Sequence, residues 1–170
     1  MNIRNFEFKA RVPDTTPFEE MLLNKQPVFK GIDHQIDTYF NVPKGRLKLR
    51  EGNIEHALIQ YDREDLAGSK LSRVVLYRHS PDPALKQILT HQFGVKTIVD
   101  KHRKIYFIGN VKFHFDRVEG LGQFIEVEAI DSENKLSTEE LKKQCDGYFQ
   151  FFGLKAEALQ DRSYSDMLLQ

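Results

Sequence analysis

Cysteine, net charge and long apolar runs are all scarce in this chain, and each shortage removes a class of protein. The one cysteine, Cys145, excludes an internal disulfide and a cysteine-rich metal site, and fits a reducing compartment. Lys and Arg number 25, as do Asp and Glu, so the formal net charge is +0. A neutral chain has no overall attraction for nucleic acid or an anionic membrane, and neither is expected as a partner. Any electrostatic function must come from local patterning. No apolar run approaches the roughly 20 residues that span a bilayer. The opening "MNIRNFEF" places charges where a signal peptide needs an apolar stretch, so a soluble cytoplasmic protein is expected. Repeats, low-complexity tracts and linkers are absent too, and 170 residues suit a single domain over 1–170.

What is present reads as a mixture of a few helices and many strands. Thr16-Pro-Phe-Glu19 has the form of an N-cap, a proline at the first helical position and a capping-box glutamate, predicting a helix through about Lys25. Asp82-Pro83 predicts a second, with an apolar stripe of Leu85, Ile88, Leu89 and Phe93 before Gly94. Ser137-Thr-Glu-Glu140 is another capping box, followed by Leu141, Cys145, Tyr148, Phe149 and Phe152 at helical spacing, which makes Cys145 an inert core thiol. Strands are expected at 2–12, about 32–42, 45–51, 56–64, 69–79, 97–108, 111–118 and 123–130. Turns at Pro43-Lys-Gly45, Gly109-Asn110 and Gly120-Leu-Gly122 make them mostly antiparallel and sequential. The expected class is α+β, built around a large curved sheet or barrel.

The strands share a two-faced pattern. In "NFEFKARV", Asn5, Glu7, Lys9 and Arg11 alternate with Phe6, Phe8, Ala10 and Val12. Arg46, Lys48 and Arg50 oppose Leu47 and Leu49; Ile59, Tyr61 and Arg63 are in phase; Lys101 and Arg103 oppose His102 and Lys104. His114 and Asp116 oppose Phe113 and Phe115, and Glu126 and Glu128 oppose Ile125, Val127 and Ala129. A half-buried sheet ordinarily turns its charges to water, and its surface mixes signs across strands. Here like charges gather strand by strand, an arrangement that repels itself unless an anion and a cation intervene. A closed barrel with charges lining its bore accounts for this, and an eight-stranded one has room for a small ligand. An outer-membrane barrel would share the pattern, but three amphipathic helices are available to cover the apolar exterior.

These residues resemble the CYTH domain of the triphosphate tunnel metalloenzymes, a family that includes class IV adenylyl cyclases, thiamine triphosphatases and inorganic triphosphatases. The family's first-strand signature Glu-x-Glu-x-Lys is matched by Asn5-Phe-Glu7-Phe-Lys9. Further matches are "DTYFNVPKGRLKLRE" (37–51), "KHRKIYF" (101–107), "FDRVEGLGQFIEVEA" (115–129) and "RSYSDMLL" (162–169), the second half being most similar to class IV adenylyl cyclases. The resemblance implies a closed antiparallel tunnel of eight strands with a polar interior. It implies that Lys9, Lys48, Arg50, Arg63, Lys101 and Arg103 bind phosphates, Arg63 standing where relatives commonly have lysine. Glu126 and Glu128 would ligate Mg2+ or Mn2+, Glu7 would assist them, and Asp116 would be a further tunnel acid. The substrate implied is a triphosphate (ATP, inorganic triphosphate or thiamine triphosphate), with a homodimer as an option. The leading activity is conversion of ATP to cyclic AMP and pyrophosphate, with Lys9 or a carboxylate such as Glu7 taking the proton. The alternatives are triphosphate hydrolysis and non-catalytic triphosphate or polyphosphate binding. Asn5 departs from the signature: it keeps an oxygen ligand and removes a negative charge.

Other residues read more blandly. His114 is expected to be structural and Arg73 and Arg78 to lie on the surface, while Lys44 and Arg46 are read as solvated turn charges, with recruitment of substrate at the tunnel mouth as the alternative. Ser163, Tyr164 and Asp166 either close one tunnel end or tie down the C-terminus.

Overall fold

The computed structural model describes residues 1–63 and 70–170, and the side chains of Arg63 and Lys70 fall outside that description. The expected phosphate contact of Arg63 and the strand ends at 64 and 69 therefore lie outside the described residues. The elements run β1 (Asn2–Val12), α1 (Thr16–Leu23), β2 (Val28–Phe40), β3 (Arg46–Glu51), β4 (His56–Arg63), β5 (Lys70–Arg78), α2 (Pro83–Phe93), β6 (Val95–Ile108), β7 (Val111–Val118), β8 (Gly122–Asp131), α3 (Thr138–Phe151) and α4 (Tyr164–Leu168). A 3-10 turn at Ala156–Ala158 precedes α4.

The eight strands close into an antiparallel barrel in the order β1-β5-β4-β3-β2-β6-β7-β8. Two meanders, β2 to β5 and β6 to β8, are joined along the long β2–β6 ladder. The sequential expectation fails at β1, which pairs with β5 and β8 instead of β2. The α1 excursion carries the chain away from β1 before β2 begins, leaving β1 free to close the cylinder. Gly45, at φ 64, supplies the left-handed residue that the β2–β3 turn needs.

The apolar faces of β1, β7 and β8 point outward. Phe6, Phe8 and Val12 of β1, Phe113 and Phe115 of β7, and Ile125 and Val127 of β8 are buried against Leu141, Cys145 and Phe152. Phe113 meets Tyr148 edge-on at 4.6 Å between centroids, and Phe8 meets Phe149 at 5.5 Å. Each such side chain, fully buried, contributes about 1.5–3 kcal/mol, so α3 acts as the outer half of a core whose inner half is the barrel wall. Its N-terminus is fixed by the expected capping box between Ser137 and Glu140. Cys145 lies inside this layer, its thiol donating to the Phe6 carbonyl at 3.0 Å and its pKa pushed up by burial to about 12.

Two helical expectations are corrected. The N-cap of α1 is Thr15, not Thr16, and its side chain makes no cap bond. Glu19 is no capping-box partner: its carboxylate accepts from the Tyr106 hydroxyl at 2.5 Å and Lys104 at 2.7 Å. A cation and a phenol on β6 outcompete a backbone amide for that carboxylate. In α2 only Leu89 of the stripe is buried, beside Phe40 and Leu49; Ile88 and Phe93 are 59% and 42% exposed. The helix lies over the ends of β2 and β3, and that surface is too narrow to bury the whole stripe.

Candidate functional site

The charged faces converge on a cavity of about 610 Å3 running through the barrel. β1 contributes Asn5, Glu7 and Lys9; β3, Lys48 and Arg50; β6, Lys101 and Arg103; β8, Glu126 and Glu128. Register brings them into rows: Glu7 stands opposite Glu128 and Lys9 opposite Glu126 on the β1–β8 pair. The opposite wall, from β4 and β5, presents Ala57, Ile59, Tyr61, Ser72, Val74 and Leu76. The bore thus has an ionic side and an apolar side. Ile3, Ile54, Phe107 and Ile130 continue the apolar lining towards the end bordered by Met1, His56, Arg78 and His79.

Inside, the charges are paired across strands. Asp37 of β2, fully buried, accepts a bidentate pair of bonds from Arg50, both at 2.8 Å, with Lys48 at 3.1 Å and Lys101 at 2.7 Å. Arg103 is held by Asp116 at 2.5–2.7 Å and by Glu126 at 2.6 Å. Lys9 reaches Glu126 at 2.9 Å and sits 4.0 Å from the Tyr164 ring centroid. Lys112 and Arg50 share Glu55. The expectation that like charges on each strand lack partners without a ligand is therefore corrected: neighbouring strands supply counter-ions.

These partners set the protonation states. Burial disfavours the Asp37 carboxylate, but Arg50, Lys101 and Lys48 overcome it and hold the group well below the usual range. Lys101 is pulled down to about 7, first by burial and then by Arg103, Arg50 and Lys48, with Asp37 opposing. Both partners are lowered because one carboxylate is shared by three cations, and the surplus repulsion falls on the most buried ammonium. Burial also dominates at His114, pushing it down to about 3 with help from Arg103 and Lys112, so its imidazole is neutral beside Glu126. Glu126, drawn down by Lys9 and Arg103, is ionised; Glu128 is pushed up by burial and by Glu7 and Glu126 nearby.

A divalent cation fits this acidic corner. Ligand atoms of His114, Glu126 and Glu128 lie within 4.8 Å of one another. The crowding that raises Glu128 is what a cation relieves, and the oxygen-rich donors suit a hard ion. Asn5 Oδ1 is buried in the same bore and has no hydrogen-bond partner among the described residues.

Of the residues expected from sequence, Glu7, Lys9, Lys48, Arg50, Lys101, Arg103, Glu126 and Glu128 all line the cavity. Asp116 lies one layer behind, fully buried and committed to Arg103 and the Tyr164 hydroxyl. Arg73 and Arg78 are both exposed, as expected, Arg73 on the outer face and Arg78 at the rim of the cavity mouth. The tail does both things considered for it: Tyr164 lies across one end of the bore, and Asp166 caps α4 and receives Arg46 at 2.7 Å.

Asp37, Glu55 and Lys112 were not anticipated. Asp37 is in phase with Asp33, Gln35 and Tyr39 on β2, and Lys112 with His114 and Asp116 on β7, so the same alternation marks them. Glu55 comes from a loop and leaves no such trace. Its place is set by Asp33, whose carboxylate accepts the amides of Asn53, Ile54 and Glu55 at 2.7–3.0 Å. Gly52 permits that approach, since a Cβ there would lie 2.6 Å from Asp33.

Comparison with known proteins agrees with this geometry. Residues 4–154 match the family model of the CYTH domain. The chain is 26% identical over 169 residues to the adenylate cyclase CyaB of Aeromonas hydrophila, covering 96% of this chain and 88% of that one. Among solved structures, the PH1012 protein of Pyrococcus horikoshii superposes with a TM-score of 0.77 at 28% identity, covering 95% of this chain and 98% of its own. The Pct1 RNA triphosphatase of S. pombe shares the fold alone, with a TM-score of 0.51 at 10% identity over 89% of this chain and 79% of its own.

Proposed function

Because the chain belongs to the CYTH domain family, we propose that its tunnel binds an organic triphosphate, ATP first among them, and converts it to cyclic AMP and pyrophosphate. The observation that carries this reading is the division of the bore into an ionic wall and an apolar wall. Inorganic triphosphate has no use for the second. A nucleotide uses both, its phosphates against Lys9, Arg50, Lys101 and Arg103 and its organic part along Ile59, Val74 and Leu76.

Phosphorus chemistry of this kind asks the protein for positioning and charge. Arg50 and Arg103 are oriented by bidentate carboxylate contacts, and Nη1 of Arg50, bonded to the partly exposed Glu55, would exchange that carboxylate for a phosphate oxygen. Lys9 is held between Glu126 and the Tyr164 ring as a point charge. Glu126 and Glu128 would hold Mg2+ or Mn2+, which would supply neutralising charge for the phosphates. With the organic group towards the Met1 end, Glu7 is the carboxylate beside the ribose, and we assign it the proton of the 3′-hydroxyl as that oxygen attacks the α-phosphorus. Lys101, poised near 7, takes up a proton as the phosphates enter.

A second reading is hydrolysis of the terminal phosphate of inorganic, thiamine or nucleoside triphosphate. It is favoured by the gathering of Lys48, Arg50 and Lys101 deep around Asp37. Incubation with Mn2+ and ATP, then with inorganic and thiamine triphosphates, separates the readings. Cyclic AMP with pyrophosphate supports the cyclase, orthophosphate release the hydrolase, and tight binding without product a non-catalytic binder.

A further inference from the structure

We propose that the outer face of the β2–β6 ladder carries a metal site of its own, in which His34, His102 and Asp100 bind a borderline transition cation such as Zn2+, Ni2+ or Cu2+. The site lies outside the barrel and does not depend on what the tunnel does.

His34 and His102 are direct partners in the antiparallel register. Their rings lie parallel, with centroids 4.2 Å apart and planes 5° apart. Asp100, one strand repeat from His102 on the same face, meets His34 Nε2 at 2.8 Å. One ligand atom from each residue lies within 4.8 Å of the others. Bonds of about 2.0–2.1 Å separate the ligands of a tetrahedral ion by about 3.4 Å and adjacent ligands of an octahedral one by about 2.9 Å. The His34–Asp100 pair already has such a spacing, and what a cation would displace is the hydrogen bonded between them. His102 has only to rotate an exposed ring inward; the backbone is set, since the ladder pairs the strands and Asn53 Oδ1 accepts the His34 amide at 2.6 Å. Two imidazole nitrogens and one carboxylate oxygen make a three-ligand set, open to water because His34 and Asp100 are 49% and 46% exposed. Imidazole donors favour Cu2+, Ni2+ and Zn2+ over Mg2+ and Mn2+, so this site and the carboxylate corner of the tunnel sort different ions.

The neighbouring charges leave room for a cation. Lys104, next along β6 on this face, is neutralised by Glu19 at 2.7 Å. Arg117, opposite His102 on β7, is exposed and opposes binding only through solvent. A bound ion would clip β2 to β6 where the two meanders join, and so would raise resistance to unfolding by mass action.

The test uses the full chain, stripped with a chelator and then titrated with Cu2+ and with Zn2+. One equivalent of Cu2+ should show coupling to two imidazole nitrogens by electron paramagnetic resonance, whereas the ligand cluster found in the tunnel among the described residues holds a single histidine, His114. His34→Gln or His102→Gln should each remove one nitrogen, and the double variant should weaken binding by about 100-fold or more and abolish the rise in melting temperature with Zn2+. Both side chains are exposed, and circular dichroism checks that the variants are folded. A spectrum with fewer than two nitrogens, or equal affinity in the double variant, overturns the site.

Discussion

Replacing Asp37 by asparagine tests the electrostatics of the bore most directly. The side chain keeps its shape and loses its charge, leaving Lys48, Arg50 and Lys101 facing one another at a fully buried point. At an effective dielectric near 20, two unit charges about 4 Å apart interact by roughly 4 kcal/mol. Asp37 has three such partners, but asparagine avoids the cost of burying a carboxylate, and the net loss on breaking a buried pair is about 3–5 kcal/mol. For a chain of this size that lowers the melting temperature by roughly 10 °C. The loss should depend on pH with a definite sign. Without Asp37, Lys101 falls further below about 7 and gives up its proton in the folded variant. Between the variant's value and about 7, the wild type therefore binds a proton that the variant does not, and the deficit grows as pH falls through that window. Urea denaturation at pH 6 and pH 8, with and without inorganic triphosphate, reads all of this. The anion should restore part of the stability by standing in for the lost carboxylate. A deficit below about 1 kcal/mol, the value of an exposed pair, or one indifferent to triphosphate, would refute the reasoning.

Arg50→Ala and Glu126→Ala should each lower turnover of Mn2+-ATP by about 100-fold or more while circular dichroism reports a folded protein; unchanged rates in both remove the tunnel assignment. Asp37, Asp116 and Glu126 are all lowered in the folded state. Their stabilisation is complete above the ordinary carboxylate range near 4 and is lost as pH falls through the folded values, so acid titration followed by far-ultraviolet circular dichroism should unfold the protein below pH 4. Cys145, buried and pushed up to about 12, should resist a thiol reagent in native buffer and react fully in urea; fast native reaction would contradict the packing of α3.

The sequence was most readable where alternation is strict. β1, β3, β6 and β8 each announce two faces, and the barrel follows once the charged faces are turned inward. Lys112 and Asp37 obey the same alternation, but aromatic or mixed-polarity neighbours mask it. Pairing of β1 with β5 and β8 has no local mark, since strand partners far apart in sequence are chosen by closure of the whole cylinder. Glu55 depends on three backbone amides wrapping Asp33, a loop geometry that residue types alone do not specify. In α1, the capping-box pattern was genuine as a string but lost to Lys104 and Tyr106, which approach only after folding.

The placement of β1 between β5 and β8 has a consequence for how the chain is made. Its hydrogen-bonding edges have no partners until β5 and β8 have left the ribosome, and β8 ends only at Asp131. Until β5 emerges a strand carrying Phe6 and Phe8 waits with both edges open, and until β8 emerges with one, in a topology whose distant contacts fold slowly. Nascent chains stalled before Asp131 should therefore bind chaperones through their first dozen residues, and release should coincide with emergence of the last strand.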